Sequence, residues 1–309
     1  MNQPENMKRR RLIQALLAMG FSGSALNGLA QALEKEKILK AIPDTGEQLP
    51  AIGLGTSRTF DAIYDKELMQ ELLPVLQAFF DQGGTLIDSS PMYGSAEEVT
   101  GILLKKVKGG DRVFSATKVW TDGKQNGIDQ MERSRQLWGI KRFDLMQIHN
   151  LRDWNVHLRT LQDMKAAGQI RYIGVTTSHG RFHSELEDLL TTQPFDFVQL
   201  SYNIDNREVE QRLLPIARDK GIAVIANRPF QRGDLFSQVK GKPLPDWASD
   251  IDVTSWAQYF LKFIISHPAV TCAIPATKRV KYMVDNMGAQ YGRLPDERMR
   301  AEMVRYLDS

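Results

Sequence analysis

Four side chains that can take part in acid–base chemistry follow short apolar runs in the first half of the sequence. They are an acid, a phenol, an amine and an imidazole: Asp88, Tyr93, Lys118 and His149. A phenol has a pKa of about 10, but a neighbouring ammonium group favours the phenolate and lowers that pKa. A buried Lys118 would need a counter-charge, which Asp88 can supply. Since His149 can donate a hydrogen bond to an oxygen, the set suits protonation of a carbonyl oxygen while a hydride reaches the adjacent carbon.

Other chemistry fits these residues less well. Acyl transfer needs an activated serine or cysteine beside the histidine, and no serine or cysteine adjoins His149 in the sequence. No second histidine stands at ligand spacing, so no metal site is expected. Taken singly, each of the four residues has an ordinary interpretation as a turn, loop, surface or core residue. Their joint placement after successive apolar runs favours a common site.

The spacing of the four residues indicates the elements that position them. Lys118 follows Asp88 by 30 positions and His149 follows Lys118 by 31, and a strand, a helix and their loops need about 30 residues. Similar short apolar runs continue along the chain. The eight runs are 51–55, 85–88, 113–118, 143–149, 172–175, 197–201, 223–226 and 271–275. With amphipathic helical patterns between them, they predict an α/β fold, a (β/α)8 TIM barrel whose catalytic residues share one rim.

An open doubly wound sheet is the alternative architecture. No Gly-x-Gly-x-x-Gly opens the first strand-to-helix turn, which weighs against it. Residues 38–50 are predicted to form a short N-terminal hairpin that closes the far end of the barrel. Pro74 lies inside the first helical pattern and predicts a kink or a late helix start.

Residues 1–32 differ in composition from the rest and predict a cleavable leader. Lys8 and Arg9–Arg10–Arg11 precede an apolar stretch and then small residues ending in Ala30–Gln31–Ala32, the order found in export signals. Arg9 to Ile13 is similar to the twin-arginine motif, with Gln14 where a lysine is usual. The predicted domains are therefore a signal peptide, 1–32, and the barrel, 33–309, exported to a bacterial periplasm. An unstructured tail and an uncleaved membrane tether are the alternatives.

The charge balance supports the same division and argues against nucleic acid as a partner. The chain has 40 basic and 37 acidic residues, and removing the four basic and one acidic residue of 1–32 leaves 36 of each sign. A nucleic-acid-binding surface would need a clustered basic surplus. The single cysteine, Cys272, lies in the last apolar run and is expected to be a buried thiol.

Over about residues 38–309 the motifs resemble the aldo-keto reductase family. Asp88 and Tyr93, with Gly94, Glu97, Glu98 and Gly101, are similar to the family's first signature. Segments 117–120 and 147–149 are similar to the next two, and 168–175 to the approach to the fifth strand. The resemblance implies carbonyl reduction with NADPH, or NADH, in which Tyr93 is the general acid, Lys118 tunes it, Asp88 pairs with Lys118 and His149 orients the carbonyl.

The resemblance also implies residues that hold the nicotinamide. Gln199 matches the residue that binds the carboxamide, and Thr176–Thr177 stands where the family has Ser-Asn. Asn227–Arg228 replaces the family's Tyr-Ser, whose ring stacks on nicotinamide. Arg228 is expected either to stack its guanidinium on the nicotinamide or to face a phosphate.

A second set of residues is implied for the adenosine end of the cofactor. Segment 274–277 is similar to the family's Ile-Pro-x-Ser turn before a phosphate-binding helix. Thr277, Lys278 and Arg279 would face an adenosine 2′-phosphate, and Asp285 and Asn286 the adenine. Lys281 is more simply interpreted as a solvated residue at the helix start.

The expected partner is a medium-sized aldehyde or ketone, bound by a monomer. Met92, Trp120, Trp154 and Phe230 are predicted to line an apolar cleft above the four residues. The alternative function is an accessory or redox-sensing barrel that binds cofactor with little turnover. The altered nicotinamide contacts and the predicted export away from cytoplasmic NADPH keep that alternative open.

Overall fold

Ten short strands form the framework of the described part of the chain. The computed structural model describes residues 36–178, 180 and 182–309, so the predicted leader, 1–32, and its boundary with the barrel lie outside the described residues. Strands β1 and β2 form a hairpin, and β3 to β10 form one sheet. In order they are Leu39–Ala41, Gln48–Pro50, Leu54–Gly55, Leu86–Asp88, Phe114–Val119, Phe143–His149, Ile170–Thr176, Phe197–Ser201, Ala223–Asn227 and Val270–Ala273.

Strands β3 to β10 are parallel and follow one another in chain order around the sheet. The first and last strands meet through a parallel bridge between Ile52 and Ala273. Two backbone bonds of 2.9 Å, Gly53 N–H to Ala273 O and Ala273 N–H to Ala51 O, join them. The prediction of a (β/α)8 barrel is therefore confirmed, and the carboxyl ends of its strands meet at one rim.

Helices connect the strands, as the apolar spacing predicts. Numbered within the described residues, α1 to α10 are Lys66–Asp81, Ala96–Leu104, Lys124–Trp138, Trp154–Ala166, His183–Thr192, Leu213–Asp219, Asp234–Gln238, Trp256–Ile265, Val280–Gly288 and Glu297–Asp308. Short 3₁₀ helices lie at Gly110–Arg112, Glu208–Glu210, Gln231–Gly233 and Asp246–Ile251. Three helices begin with a side-chain cap, provided by Asp65, Ser255 and Asp296.

Helix α1 continues through Pro74, so the predicted late start is wrong. A proline inside a helix leaves the carbonyl four residues earlier without its usual donor. Both Pro74 and that residue, Gln70, lie on the exposed face of the helix. Water can therefore satisfy the freed carbonyl, and the helix need not begin later.

The hairpin closes the end of the barrel opposite the rim. Ile42 and Leu49 pack with an apolar cluster inside the barrel that includes Phe114 and Tyr172. Arg171 forms ion pairs with Glu47 of the hairpin segment and Asp144 of β6. These contacts confirm the predicted hairpin and its position.

The core surrounds the barrel and fills its interior. Cys272 is fully buried within it, as predicted, and burial raises the pKa of its thiol. Among the described residues, no helix has the length and apolar character needed to cross a membrane.

Candidate active site

The four predicted residues lie together at the rim. Asp88 ends β4, Lys118 is the penultimate residue of β5, and His149 ends β6. Tyr93 lies in the loop that follows β4. Because adjacent parallel strands pair Asp88 with Ala116 and Lys118 with Gln147, these ends converge. The sequence prediction that the four side chains share one site agrees with this geometry.

An ion pair lies at the centre of the group. Lys118 Nζ is 2.7 Å from Asp88 Oδ2, and the two side chains are 0% and 2% exposed. The same ammonium donates to the carbonyl of Ser89 at 2.6 Å. Burial acts to lower the pKa of Lys118, but the charges of Asp88 and Tyr93 and their hydrogen bonds raise it above its usual value. Lys118 is therefore a buried cation that stays protonated.

The second oxygen of Asp88 accepts hydrogen bonds from two amides. Gln147 Nε2 donates to Oδ1 at 3.0 Å and Gln199 Nε2 at 2.8 Å. Asn227 Nδ2 lies 3.4 Å from Gln199 Oε1 and 3.2 Å from the carbonyl of Thr177. We call Gln147, Gln199 and Asn227 the amide network, and it holds the Asp88 carboxylate in place.

Gln147 is a member of this network that sequence reasoning missed. It lies two residues before His149 in β6, so both side chains point to the same face of the strand. That two-residue spacing from a candidate catalytic histidine was the available signal.

Tyr93 lies half-buried next to the cation. Lys118 Nζ is 5.0 Å from the centroid of the Tyr93 ring. Burial has the largest effect and raises the pKa of Tyr93. The charges of Lys118 and Arg228 lower this pKa, and the charge of Asp88 raises it. The net pKa of Tyr93 lies above the usual value for a phenol. The lysine thus acts with the predicted sign, but burial is stronger, and the phenol holds its proton at neutral pH.

His149 is buried and neutral. Its pKa is lowered to about 3, first by burial and then by the charge of Lys118. Its ring meets the Tyr93 ring edge to face, with centroids 5.9 Å apart. Its Nδ1 lies 3.0 Å from the hydroxyl of Ser90, another residue that the sequence did not indicate. A neutral imidazole has one N–H, so His149 can offer one hydrogen bond to a ligand.

A cavity of about 620 Å³ opens beside these residues. Its lining includes Tyr93, His149, Gly55, Ile274 and Ala276. A Cβ at Gly55 would lie 2.9 Å from the carbonyl of Ile274, so a larger residue there would require the backbone to shift. The size is within the range of about 300–1,000 Å³ typical of ligand pockets.

The predicted substrate residues divide into two groups. Met92 and Phe230 line the cavity, as predicted, and Phe236 lines it too. Trp120 and Trp154 do not, which corrects the prediction. The guanidinium of Arg152 lies 4.9 Å from the centroid of the Trp120 ring, and Trp154 packs on the hydrophobic core at the start of α4.

The residues predicted to hold nicotinamide lie close together. Thr176, Gln199, Asn227 and Arg228 line the cavity. Thr177 is 1% exposed, and its hydroxyl has no hydrogen-bond partner among the described residues. Thr177 itself does not line the cavity, so the structure does not bring its side chain to the same space.

Three arginines that line the cavity have a left-handed backbone conformation. Arg58, Arg228 and Arg232 have φ values of 64°, 52° and 60°, a conformation that costs non-glycine residues about 1–2 kcal/mol. Such strain gathers at functional sites. Sequence reasoning identified Arg228 but missed Arg58 and Arg232, whose only signal was their place in the segments that follow β3 and β9.

The residues predicted for the adenosine end lie beyond the cavity, whose lining ends at Ala276. Lys278 and Arg279 are exposed just before α9, while Asn286 is 3% exposed. Asp285 Oδ1 accepts hydrogen bonds from Ser255 at 2.9 Å and Gln258 at 2.8 Å. Thr277, Lys278 and Arg279 therefore follow the last cavity-lining residue, Ala276, in the sequence. They do not line the cavity beside the four central residues.

Comparison with known proteins identifies what this barrel is similar to. The model of the Aldo/keto reductase family matches residues 51–302. Aldo-keto reductase YhdN of Bacillus subtilis is 29% identical over 214 residues, a match that covers 63% of this chain and only 62% of that protein. Methylglyoxal reductase YeaE of Escherichia coli is 28% identical and covers 80% of this chain and 88% of its own.

Solved structures give the same result. An aldo/keto reductase from Klebsiella pneumoniae, in complex with NADP and acetate, has a TM-score of 0.71 and 25% identity. The match covers 86% of this chain and 94% of that one. A second structure from the same organism, in complex with NADPH, is equally similar, with a TM-score of 0.71.

The buried neutral state of His149 predicts a dependence of stability on pH. Between about pH 6.5 and the folded-state pKa of about 3, the unfolded chain binds a proton at this position and the folded chain does not. Stability is therefore lost as the pH falls through this window. In urea unfolding, the advantage of the wild type over His149→Asn should shrink by about 1 kcal/mol between pH 7.5 and 5.5. A difference that is the same at both values would contradict a neutral His149.

Proposed function

The chain belongs to the aldo/keto reductase family and is an oxidoreductase, and on that premise we propose that it reduces an aldehyde or ketone to an alcohol with NADPH. The observation that carries this proposal is the buried Lys118–Asp88 pair beside Tyr93, with 2.7 Å between the charged atoms. A cation held at this depth is costly, and its position next to a phenol suits proton transfer.

The residues around the cavity fit a nicotinamide cofactor. Thr176, Gln199 and Asn227 line the cavity, and their side chains would hold the carboxamide. Arg58 and Arg232 add positive charge that suits a pyrophosphate. Arg228 was expected either to stack on the nicotinamide or to face a phosphate. Its charge lowers the pKa of Tyr93, which supports a place near Tyr93 at the nicotinamide end. When bound, the cofactor supplies the hydride to the carbonyl carbon.

Each of the four central residues has a distinct role in the proposed reaction. Tyr93 donates its proton to the carbonyl oxygen, and the Lys118 ammonium stabilises the phenolate that remains. Asp88 balances the charge of Lys118, and the amide network holds Asp88 in place. Neutral His149 donates its one N–H to the same carbonyl oxygen and orients it.

The proposed substrate is a medium-sized aldehyde or ketone. Met92, Phe230 and Phe236 add apolar surface to the cavity that Tyr93 also lines. An apolar wall with a few convergent polar groups is the usual form of a small-molecule site. YeaE, named a methylglyoxal reductase, supports a carbonyl substrate without fixing which one.

We also propose that residues 1–32 direct export by the twin-arginine route. This rests on the sequence alone, namely the arginines before an apolar stretch and a small-residue end. That route carries folded proteins, so a cofactor can travel bound to the barrel.

Replacing Tyr93 by phenylalanine tests the proton donor. In protein lacking residues 1–32, Tyr93→Phe should lower kcat for a generic aldehyde such as nitrobenzaldehyde by about 10²-fold or more. The NADPH dissociation constant, measured by fluorescence quenching, should stay unchanged. Tyr64→Phe makes the same chemical change at a residue that is 99% exposed and serves as the control. Full activity in Tyr93→Phe would rule out the assignment, and cofactor binding without reduction of any carbonyl would favour the accessory barrel.

Parallel titrations with NADPH and NADH test the proposed phosphate contacts. A charge-assisted hydrogen bond contributes about 1.5–3 kcal/mol, so NADPH should bind about tenfold more tightly or better. Arg279→Met should remove much of that preference, while Lys281→Met should leave it unchanged. Equal affinity for both cofactors in the wild type would contradict a 2′-phosphate site at residues 277–279.

Cell fractionation tests the export proposal. Arg9→Lys with Arg10→Lys keeps the positive charge but removes the twin arginines, so it should retain the protein in the cytoplasm of a Gram-negative host. Arg11→Lys changes the neighbouring arginine, where the motif accepts any residue, and should be exported normally. An unchanged distribution of the double variant would contradict this route, and wild-type protein in the membrane fraction would favour the tether.

A further inference from the structure

The hydroxyl of Ser90 joins the active-site histidine to the backbone of the loop after β4. Ser90 is 0% exposed, and its Oγ lies 3.0 Å from His149 Nδ1. The same oxygen accepts a hydrogen bond from the backbone N–H of Met92 at 3.2 Å. Ser90 is thus fixed by its own loop and contacts His149 on the side of the ring that bears Nδ1.

The hydrogen-bonding capacity of a serine hydroxyl decides the direction of the Ser90–His149 bond. A hydroxyl has one hydrogen to donate and two lone pairs that accept. Met92 N–H already uses one lone pair of Ser90 Oγ. Among the described residues, His149 Nδ1 is the contact that can receive the Ser90 hydrogen. If Nδ1 were the donor instead, a fully buried hydroxyl hydrogen would have no acceptor, which is rare.

The direction of this bond determines where the single proton of His149 lies. A neutral imidazole is an acceptor at one nitrogen and a donor at the other. Since Nδ1 accepts from Ser90, the proton lies on Nε2, the other ring nitrogen. The ring lines the cavity together with Tyr93.

We propose that Ser90 is a positioning residue that holds His149 in the tautomer with its proton on Nε2, so that the ring offers a donor to a carbonyl oxygen in the cavity. The catalytic part of this proposal rests on the proposed carbonyl reduction. In the other tautomer Nε2 would turn a lone pair towards the carbonyl oxygen, and the two would repel each other. Ser90 acts on the reaction only through His149.

Long-range proton–nitrogen NMR correlations test the tautomer directly. In ¹⁵N-labelled protein lacking residues 1–32, the signals that vanish in His149→Asn identify the ring among the five histidines of the chain. The wild type should show a protonated Nε2 and an unprotonated Nδ1 at neutral pH. Ser90→Ala should shift the population towards a protonated Nδ1. A proton on Nδ1 in the wild type would overturn the proposal, whether or not Ser90→Ala folds.

Steady-state kinetics tests the consequence for the reaction. Ser90→Ala should lower kcat at least about tenfold, since loss of one preorganised donor in an active site costs about 10²–10³. The NADPH dissociation constant should not change. Ser115→Ala is a matched control, because Ser115 is also a buried serine that donates to a side chain, Asp144, and accepts from a backbone N–H, but at the opposite end of the barrel. It should keep kcat within about twofold, although it loses stability in the same way.

The two measurements separate this proposal from the proposed function. If no carbonyl is reduced, the proposed function fails, and the NMR result still decides whether Ser90 sets the tautomer. If carbonyls are reduced but Ser90→Ala keeps both the wild-type tautomer and the wild-type kcat, Ser90 has no positioning role.

Discussion

The charge on Lys118 is the constraint on which the rest of the site depends. An ammonium group that is 0% exposed is stable only with an opposite charge and hydrogen bonds around it. Asp88 and the carbonyl of Ser89 provide these, at 2.7 Å and 2.6 Å. A buried pair of this kind often adds little stability compared with apolar residues of similar volume. Its proposed value here is electrostatic, because it places a permanent cation beside Tyr93.

The two ends of the barrel differ in the contacts that their side chains make. The buried Lys118–Asp88 pair lies at the rim. At the far end, the hairpin packs on the apolar cluster inside the barrel, and Arg171 joins Glu47 to Asp144. At the rim, loops carry strained arginines and polar side chains, and the amide network connects β6, β8 and β9 to Asp88. The far end thus carries apolar packing and ion pairs, while the rim carries the residues proposed to take part in chemistry.

The barrel and three of the four central residues follow from simple periodicity in the sequence, and Tyr93 follows from its place five residues after Asp88. Asp88, Lys118 and His149 each lie at or near the end of an apolar run, and the interval between them matches one strand–helix unit. Gln147 and Ser90 were missed because their importance comes from hydrogen bonds to Asp88 and His149. The spacing of Gln147 from His149 places both side chains on one face of β6 but does not show the bond to Asp88. The net pKa of Tyr93 was equally hidden, since it depends on burial as well as on the nearby charges.

The directions of side chains were the least predictable feature. Trp120 follows a strand and was expected over the cavity, but its ring packs against Arg152, which is paired with Asp122. Residues 277–279 lie next to the cavity in the chain, yet the cavity ends at Ala276. Loop conformation decides both outcomes, and it depends on contacts between distant parts of the chain.

A double-mutant cycle on the ion pair tests the central claim most directly. The free energy of unfolding would be measured by urea for Lys118→Met, Asp88→Asn and the double variant. Removing one partner leaves an uncompensated buried charge and should cost about 3–5 kcal/mol. The double variant should be more stable than the sum of the single effects predicts, by about 1–3 kcal/mol, yet remain inactive. Additive losses, or a double variant that keeps wild-type kcat, would contradict a site organised around this pair.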